Sequence, residues 1–164
     1  MMRSFFIPAN AILVTLAVAI AVLGGAYIFQ YGFGYHPCEL CLYQRLPWWI
    51  VIAIGCAAFW SGKRLPGLSN MLLILMGITL LVSTGLAGLH AGVEFKWWQG
   101  PTDCSSGPLD FDNLDDLAAA INAMPDIRCD EVPWSLFGIS MAGYNFLISA
   151  ALGLYALIVP IRNR

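Results

Sequence analysis

Apolar residues dominate four stretches of the chain, approximately 9–30, 42–60, 71–93 and 139–161, separated by polar and turn-rich segments. Each stretch is long enough to cross a hydrocarbon core ~30 Å thick as a helix of about 20 residues. Between the third and fourth stretches the pattern changes. Phe111, Leu114, Leu117, Ala118, Ile121 and Met124 recur at helical spacing, while Asp110, Asp112, Asp115, Asp116 and Asn122 fill much of the opposite face. This predicts a short amphipathic helix over 109–124, capped by Asp112 or Asn113 and stopped by Pro125. It lies on the membrane surface or against the rim of the bundle, held by its apolar face because its polar face is acidic.

Composition agrees with the pattern. The chain has 164 residues, 59% of them hydrophobic and 11% charged, and a mean hydropathy of +0.73. Soluble domains carry ~45–50% apolar residues, so the expected class is an all-α integral membrane four-helix bundle. The first stretch exceeds the ~7–15 apolar residues of a signal sequence, so it reads as a span. Trp60, Trp97, Trp98, Trp134, Tyr27, Tyr31 and Tyr35 fall near the proposed span ends, as interfacial aromatics do. No repeat or linker divides the chain, which reads as one domain, 1–164.

Charge orients the bundle. Arg3, Lys63, Arg64, Arg162 and Arg164 fall on the side holding both termini, which the positive-inside rule makes cytoplasmic. All ten acidic residues fall on the other side, so the loops at about 31–41 and 94–138 are expected to face outward. The net charge of −2 averages two different faces and gives no reason to expect a nucleic-acid partner.

Candidate chemistry sits in those loops. Cys38 and Cys41 form a CxxC pair at the mouth of the second span, and Cys104 and Cys129 lie in the second loop. A CxxC closes a small disulfide ring that thiolate attack makes and breaks. The outward side of a bacterial membrane is oxidising. Cys104 and Cys129 read equally as a second reactive pair or as a structural staple. Four thiolates also suit zinc, yet structural zinc sites usually show two close-spaced pairs and only one is present, so no metal is expected. Cys56, inside the second span, reads as a packing residue.

Arg45 stands at the end of the second span. In a regular helix it shares a face with Cys41 at i,i+4, where it supports a thiolate or snorkels to the interface. Pro47 lacks an N–H for the carbonyl of Tyr43, so regular helix is expected to begin only near it. His90 falls at a similar depth in the third span, and His36 reads as an exposed loop residue near Cys38. Gly88 and Gly92 make a GxxxG match, a weak signal of close helix contact. No GxGxxG, P-loop or CxxCH motif occurs, so a lipophilic quinone is the expected two-electron acceptor, with Arg45 and His90 polarising its carbonyls.

The whole chain resembles the bacterial disulfide bond formation protein B (DsbB) family. The likeness rests on the four spans, CysGluLeuCysLeuTyrGlnArg in the first loop, Cys104 and Cys129 in the second, and ValProTrpSerLeuPheGly leading into the fourth span. It implies a dithiol:quinone oxidoreductase of the bacterial inner membrane that reoxidises a periplasmic DsbA-like thiol oxidant and reduces ubiquinone or menaquinone. Under that resemblance Cys104, paired with Cys129, receives the partner's attack. Cys129 then attacks Cys38, and Cys41 leaves as a thiolate facing the quinone with Arg45 in support. His90 and, more weakly, Trp134 carry over as neighbours of that site. A DsbI-like oxidase with another thiol partner and a non-catalytic, disulfide-stapled membrane protein are the alternatives. The CxxC speaks against the staple, because so small a ring constrains little chain.

Overall fold

The computed structural model describes residues 7–61, 65–100 and 128–162. Cys104 and the predicted helix at 109–124 lie outside the described residues, as do Arg3, Lys63, Arg64 and Arg164. Helix α1 spans Pro8–Tyr27, with proline in its first turn where a missing N–H has no cost. It continues as a single π-helical stretch, Ile28–Gly32. Helix α2 spans Glu39–Ser61, α3 spans Pro66–Glu94 and α4 spans Met141–Arg162. All four are long and apolar enough to cross a membrane, in agreement with the four stretches read from the sequence.

The boundaries differ in two informative places. Helix α2 starts at Glu39, upstream of the expected 42, and runs through Pro47. The backbone N–H of Leu42 already bonds the carbonyl of Cys38 at 3.1 Å, so the helix is established before the proline. Pro47 removes one intrahelical bond without ending the helix. At the other boundary, Ile139 belongs not to the fourth span but to a small antiparallel hairpin. Ser135–Leu136 (β1) pairs with Ile139–Ser140 (β2), Ser135 opposite Ser140 and Leu136 opposite Ile139. Phe137 and Gly138, with φ of 51° and 78°, form its two-residue loop. Two successive positive φ values mark the turn type whose twist matches paired strands.

The bundle core is aliphatic. Ala11, Ile12, Leu23, Val51, Leu73, Met76, Leu80, Ala156 and Val159 are buried together, with Trp48 at one end. The most extensive helix contact is α3 against α4, and small residues set its distance. A Cβ on Gly77 would stand 2.7 Å from Leu157 and 3.2 Å from the carbonyl oxygen of Gly153, and one on Gly153 would stand 3.3 Å from the carbonyl oxygen of Gly77. With lipid as solvent, close backbone approach and dispersion hold helices together. The GxxxG match serves differently: Gly88 abuts the Phe146 ring, and Gly92 leaves room for the indole of Trp98.

Leu13, Ile20, Leu75, Ile78, Leu147 and Leu154 are exposed around the outside, an unfavourable surface in water and a suitable one in lipid. Cys56 lies on that exposed surface. Its expected role as a packing residue is therefore corrected: it faces away from the bundle interior. Trp60, Trp97 and Tyr31 are largely exposed, as the interfacial reading requires. Trp134 departs from that group by turning inward, with its ring tilted against Phe29 and Tyr144.

Candidate functional site

Four segments meet at one end of the bundle: the start of α2, the end of α3, the start of α4 and the stretch 128–140. The CxxC is held by helix geometry. Glu39 opens α2, so Cys41 lies in its first turn, and the Cys41 backbone N–H donates to Cys38 Sγ at 3.3 Å. The two sulfurs are 2.9 Å apart, with the Cys38 thiol donating to Cys41. A disulfide between them, ~2.05 Å long, requires a displacement of under ~1 Å.

Cys129 is brought to the same place. It is buried in one cluster with Cys38, Leu40 and Val93, against which Cys41 packs. One cysteine of the second loop thus meets the first pair across a separation no local pattern reveals. Cys104 lies outside the described residues. The hydrogen bond to Cys41, then burial, pushes the Cys38 thiol from its ordinary 9.0 up to about 12, with His90 pulling the other way. Cys38 is therefore held as a protonated thiol whenever the pair is reduced at neutral pH.

His90 contacts this pair directly, its Nε2 lying 3.6 Å from Cys38 Sγ. Its Nδ1 is 2.5 Å from Gln44 Nε2. Gln44 Oε1 accepts from Asn145 Nδ2 at 2.5 Å, and Asn145 Oδ1 accepts from the Trp48 indole N–H at 2.9 Å. On its other side His90 Nε2 faces Glu94 Oε1 at 3.9 Å, one helical turn along α3. Glu94 Oε2 accepts a hydrogen bond from the hydroxyl of Ser140, which also receives the backbone N–H of Gly143 at 3.1 Å. Gln44, His90, Glu94 and Ser140 are all buried. Polar groups withdrawn from water are tolerated when partnered, and these are linked from helix to helix.

Beside the sulfurs lies a largely apolar cavity of about 590 Å³ lined from all four helices. Phe29, Trp134 and Ile148 contribute to its apolar wall; Cys41, Arg45 and His90 contribute polar groups, whereas Cys38 is not among the lining residues. Arg45 is anchored from α1, where its Nη1 donates to Gln30 Oε1 at 2.5 Å and its guanidinium lies 5.0 Å from the centre of the Tyr27 ring. The i,i+4 placement of Cys41 and Arg45 thus puts both on one cavity.

The sulfurs of Cys38 and Cys41 and a nitrogen of His90 lie within 4.8 Å of one another, close enough to ligate a soft cation together. No motif in the sequence assigns a site role to Gln44, Trp48, Glu94, Ser140 or Asn145. Their only local signal is being polar or indole-bearing within or beside an apolar span, which by itself marks a functional candidate.

Residues 8–159 match the family model described as disulfide bond formation protein DsbB. The disulfide bond formation protein B 2 of Pseudomonas savastanoi pv. phaseolicola is 32% identical over 152 residues, covering 88% of this chain and 83% of the relative. The disulfide bond formation protein B of Polaromonas sp. strain JS666 is 30% identical over 156 residues, covering 92% and 88%. An uncharacterized protein of Rickettsia prowazekii, RP370, is 33% identical over 143 residues, covering 85% and 80%.

Proposed function

The chain belongs to the DsbB family of disulfide bond formation proteins, and on that basis we propose that it oxidises a periplasmic DsbA-like thiol oxidoreductase and passes the electrons to a membrane quinone. The observation that carries the reading is the placing of three cysteines: Cys38 and Cys129 share one buried cluster, and Cys41 packs against it and reaches the cavity wall. In this reading residues 1–164 act as one domain in the bacterial inner membrane, with both termini cytoplasmic and the cysteine loops periplasmic.

The exchange proceeds sulfur by sulfur. A thiolate of the reduced partner attacks Cys104, the Cys104–Cys129 bond breaks, and Cys129 leaves as a thiolate. Cys129 attacks Cys38, the Cys38–Cys41 bond breaks, and Cys41 leaves with the negative charge. The partner's second cysteine then displaces Cys104, so one dithiol has been oxidised and two electrons reside on this chain. The burial of Cys129 in one cluster with Cys38 supports the middle step.

The cavity suits a quinone ring and the start of its tail, being apolar along its wall and polar where Arg45 and His90 stand. Quinone bound there would supply the two-electron acceptor that a strongly oxidising partner requires, since a thiol couple near −120 mV is hard to reoxidise with another disulfide. Arg45 would hold one carbonyl oxygen by charge-assisted donation. The anchoring of its guanidinium on Gln30 and Tyr27 keeps that donor in place.

Purified protein in detergent, given reduced DsbA and a soluble ubiquinone analogue, is expected to consume one quinone per dithiol. Cys38→Ala and Cys104→Ala are expected to reduce turnover to background, and Cys56→Ala to retain it. Full turnover in both of the first two variants would reject the relay.

A further inference from the structure

The polar groups behind the CxxC form a chain with a direction. An indole N–H can only donate, and that of Trp48 donates to Asn145 Oδ1. This assigns the other end of the Asn145 side chain as its NH₂, which donates to Gln44 Oε1. The NH₂ of Gln44 is thereby left facing His90 Nδ1, which must accept. In the neutral ring one nitrogen accepts and the other carries the proton. The proton therefore sits on Nε2, the nitrogen facing Cys38 Sγ at 3.6 Å, and Cys38 in turn donates to Cys41.

We propose that Trp48, Asn145 and Gln44 are positioning residues that lock His90 in its Nε2–H tautomer, so that a one-way chain of donors ends on the two redox sulfurs, with Cys41 last and at the cavity wall. The lock is strong because each reversal sets two donors against each other. Moving the ring proton to Nδ1 opposes it to the Gln44 NH₂. Turning Gln44 opposes its NH₂ to that of Asn145, and turning Asn145 opposes its NH₂ to the indole. Trp48, Gln44 and His90 are 2%, 6% and 3% exposed, so water offers little relief. Bonds aligned in one sense polarise one another, and their effect accumulates at the acceptor end.

The lock also bears on the cation-sized grouping of Cys38, Cys41 and His90. The nitrogen nearest the sulfurs carries a proton, and its lone pair is withheld from a metal. Glu94 is the competing acceptor for that proton, and its carboxylate is occupied in part by Ser140.

Nitrogen-15 NMR of the reduced, histidine-labelled protein tests the assignment without reference to turnover. The chain holds two histidines, so a His36→Gln variant identifies the His90 signals. The wild-type neutral ring is expected to show protonated Nε2 and unprotonated Nδ1; the opposite pattern overturns the lock. Gln44→Glu replaces the donor facing Nδ1 by an acceptor of the same size and is expected to move the proton to Nδ1. Retention of the Nε2–H form in that variant also overturns it. Loss of the donor chain is expected to slow alkylation of Cys41 by about tenfold at fixed pH, the scale of one hydrogen bond to a charged group; an unchanged rate would show that donation does not reach Cys41. The consequence for quinone reduction rests on the proposed function. A locked tautomer in a protein that reduces no quinone would count against that function and leave the lock standing.

Discussion

Midway along the bundle Val51, Leu73, Met76, Leu80 and Ala156 are fully buried against aliphatic neighbours, whereas at the cysteine end the buried residues include Gln44, His90, Glu94 and Ser140, beside a cavity of about 590 Å³. The first region spends its residues on close contact, down to a glycine–glycine approach between α3 and α4. The second keeps open volume and partners its polar groups across helices. Stability and chemistry are separated along the bundle axis, because a site that exchanges disulfides needs room and donors that a close-packed core excludes.

Adding the same side chain to each region sharpens this comparison most. Gly77→Leu places atoms where Leu157 and the Gly153 carbonyl already stand and is expected to destabilise the bundle by about 1–3 kcal/mol or more. Ala142→Leu, at the cavity wall, is expected to leave thermal stability nearly unchanged while narrowing the cavity. Melting both variants in the same detergent decides the matter, and equal losses would erase the distinction.

A smaller effect concerns pH. The Cys38 thiol is raised from 9.0 to about 12 in the folded, reduced protein. The unfolded chain therefore gives up this proton first. The associated stability is complete below about pH 9 and is lost as pH rises toward about 12. Reduced wild-type protein should lose melting temperature across that window more steeply than Cys38→Ala; parallel curves would contradict the assignment. The smallest effect is expected at the rim, where exposed Arg128 pairs with Asp130 at 2.8 Å and with Glu131 at 3.7 Å. Exposed pairs gain little over their hydrated partners, so Arg128→Ala should leave the melting temperature within error, and a measurable drop would mean that this segment is held more firmly than its exposure suggests.

The two regions also differ in how far they can be read from the chain alone. The spans are legible because excluding polar groups from hydrocarbon is a demand that each segment meets by itself. The start of α2 is less so. Glu39, Gln44 and Arg45 count against a membrane helix when read singly, yet Tyr43, Asn145 and Gln30 satisfy them in the fold. The hairpin at 135–140 is hidden because Phe-Gly is a weak turn signal beside an apolar run. Cys56 reads from the sequence as a packing residue yet faces outward, since hydropathy places a residue at a depth and not on a side.

What the sequence determined alone is local chemistry: four helices of membrane-spanning length, a CxxC at a helix mouth, and Arg45 one turn past Cys41. Each follows from hydrophobicity or from spacing within a few residues. What only the tertiary structure decided is convergence. Cys129 in one cluster with Cys38, His90 behind the sulfurs, and the chain from Trp48 through Asn145 and Gln44 join residues up to 101 positions apart. Side chains so distant in sequence meet only after helices with unlike neighbours have packed. A buried donor declares its direction only when its partner is known.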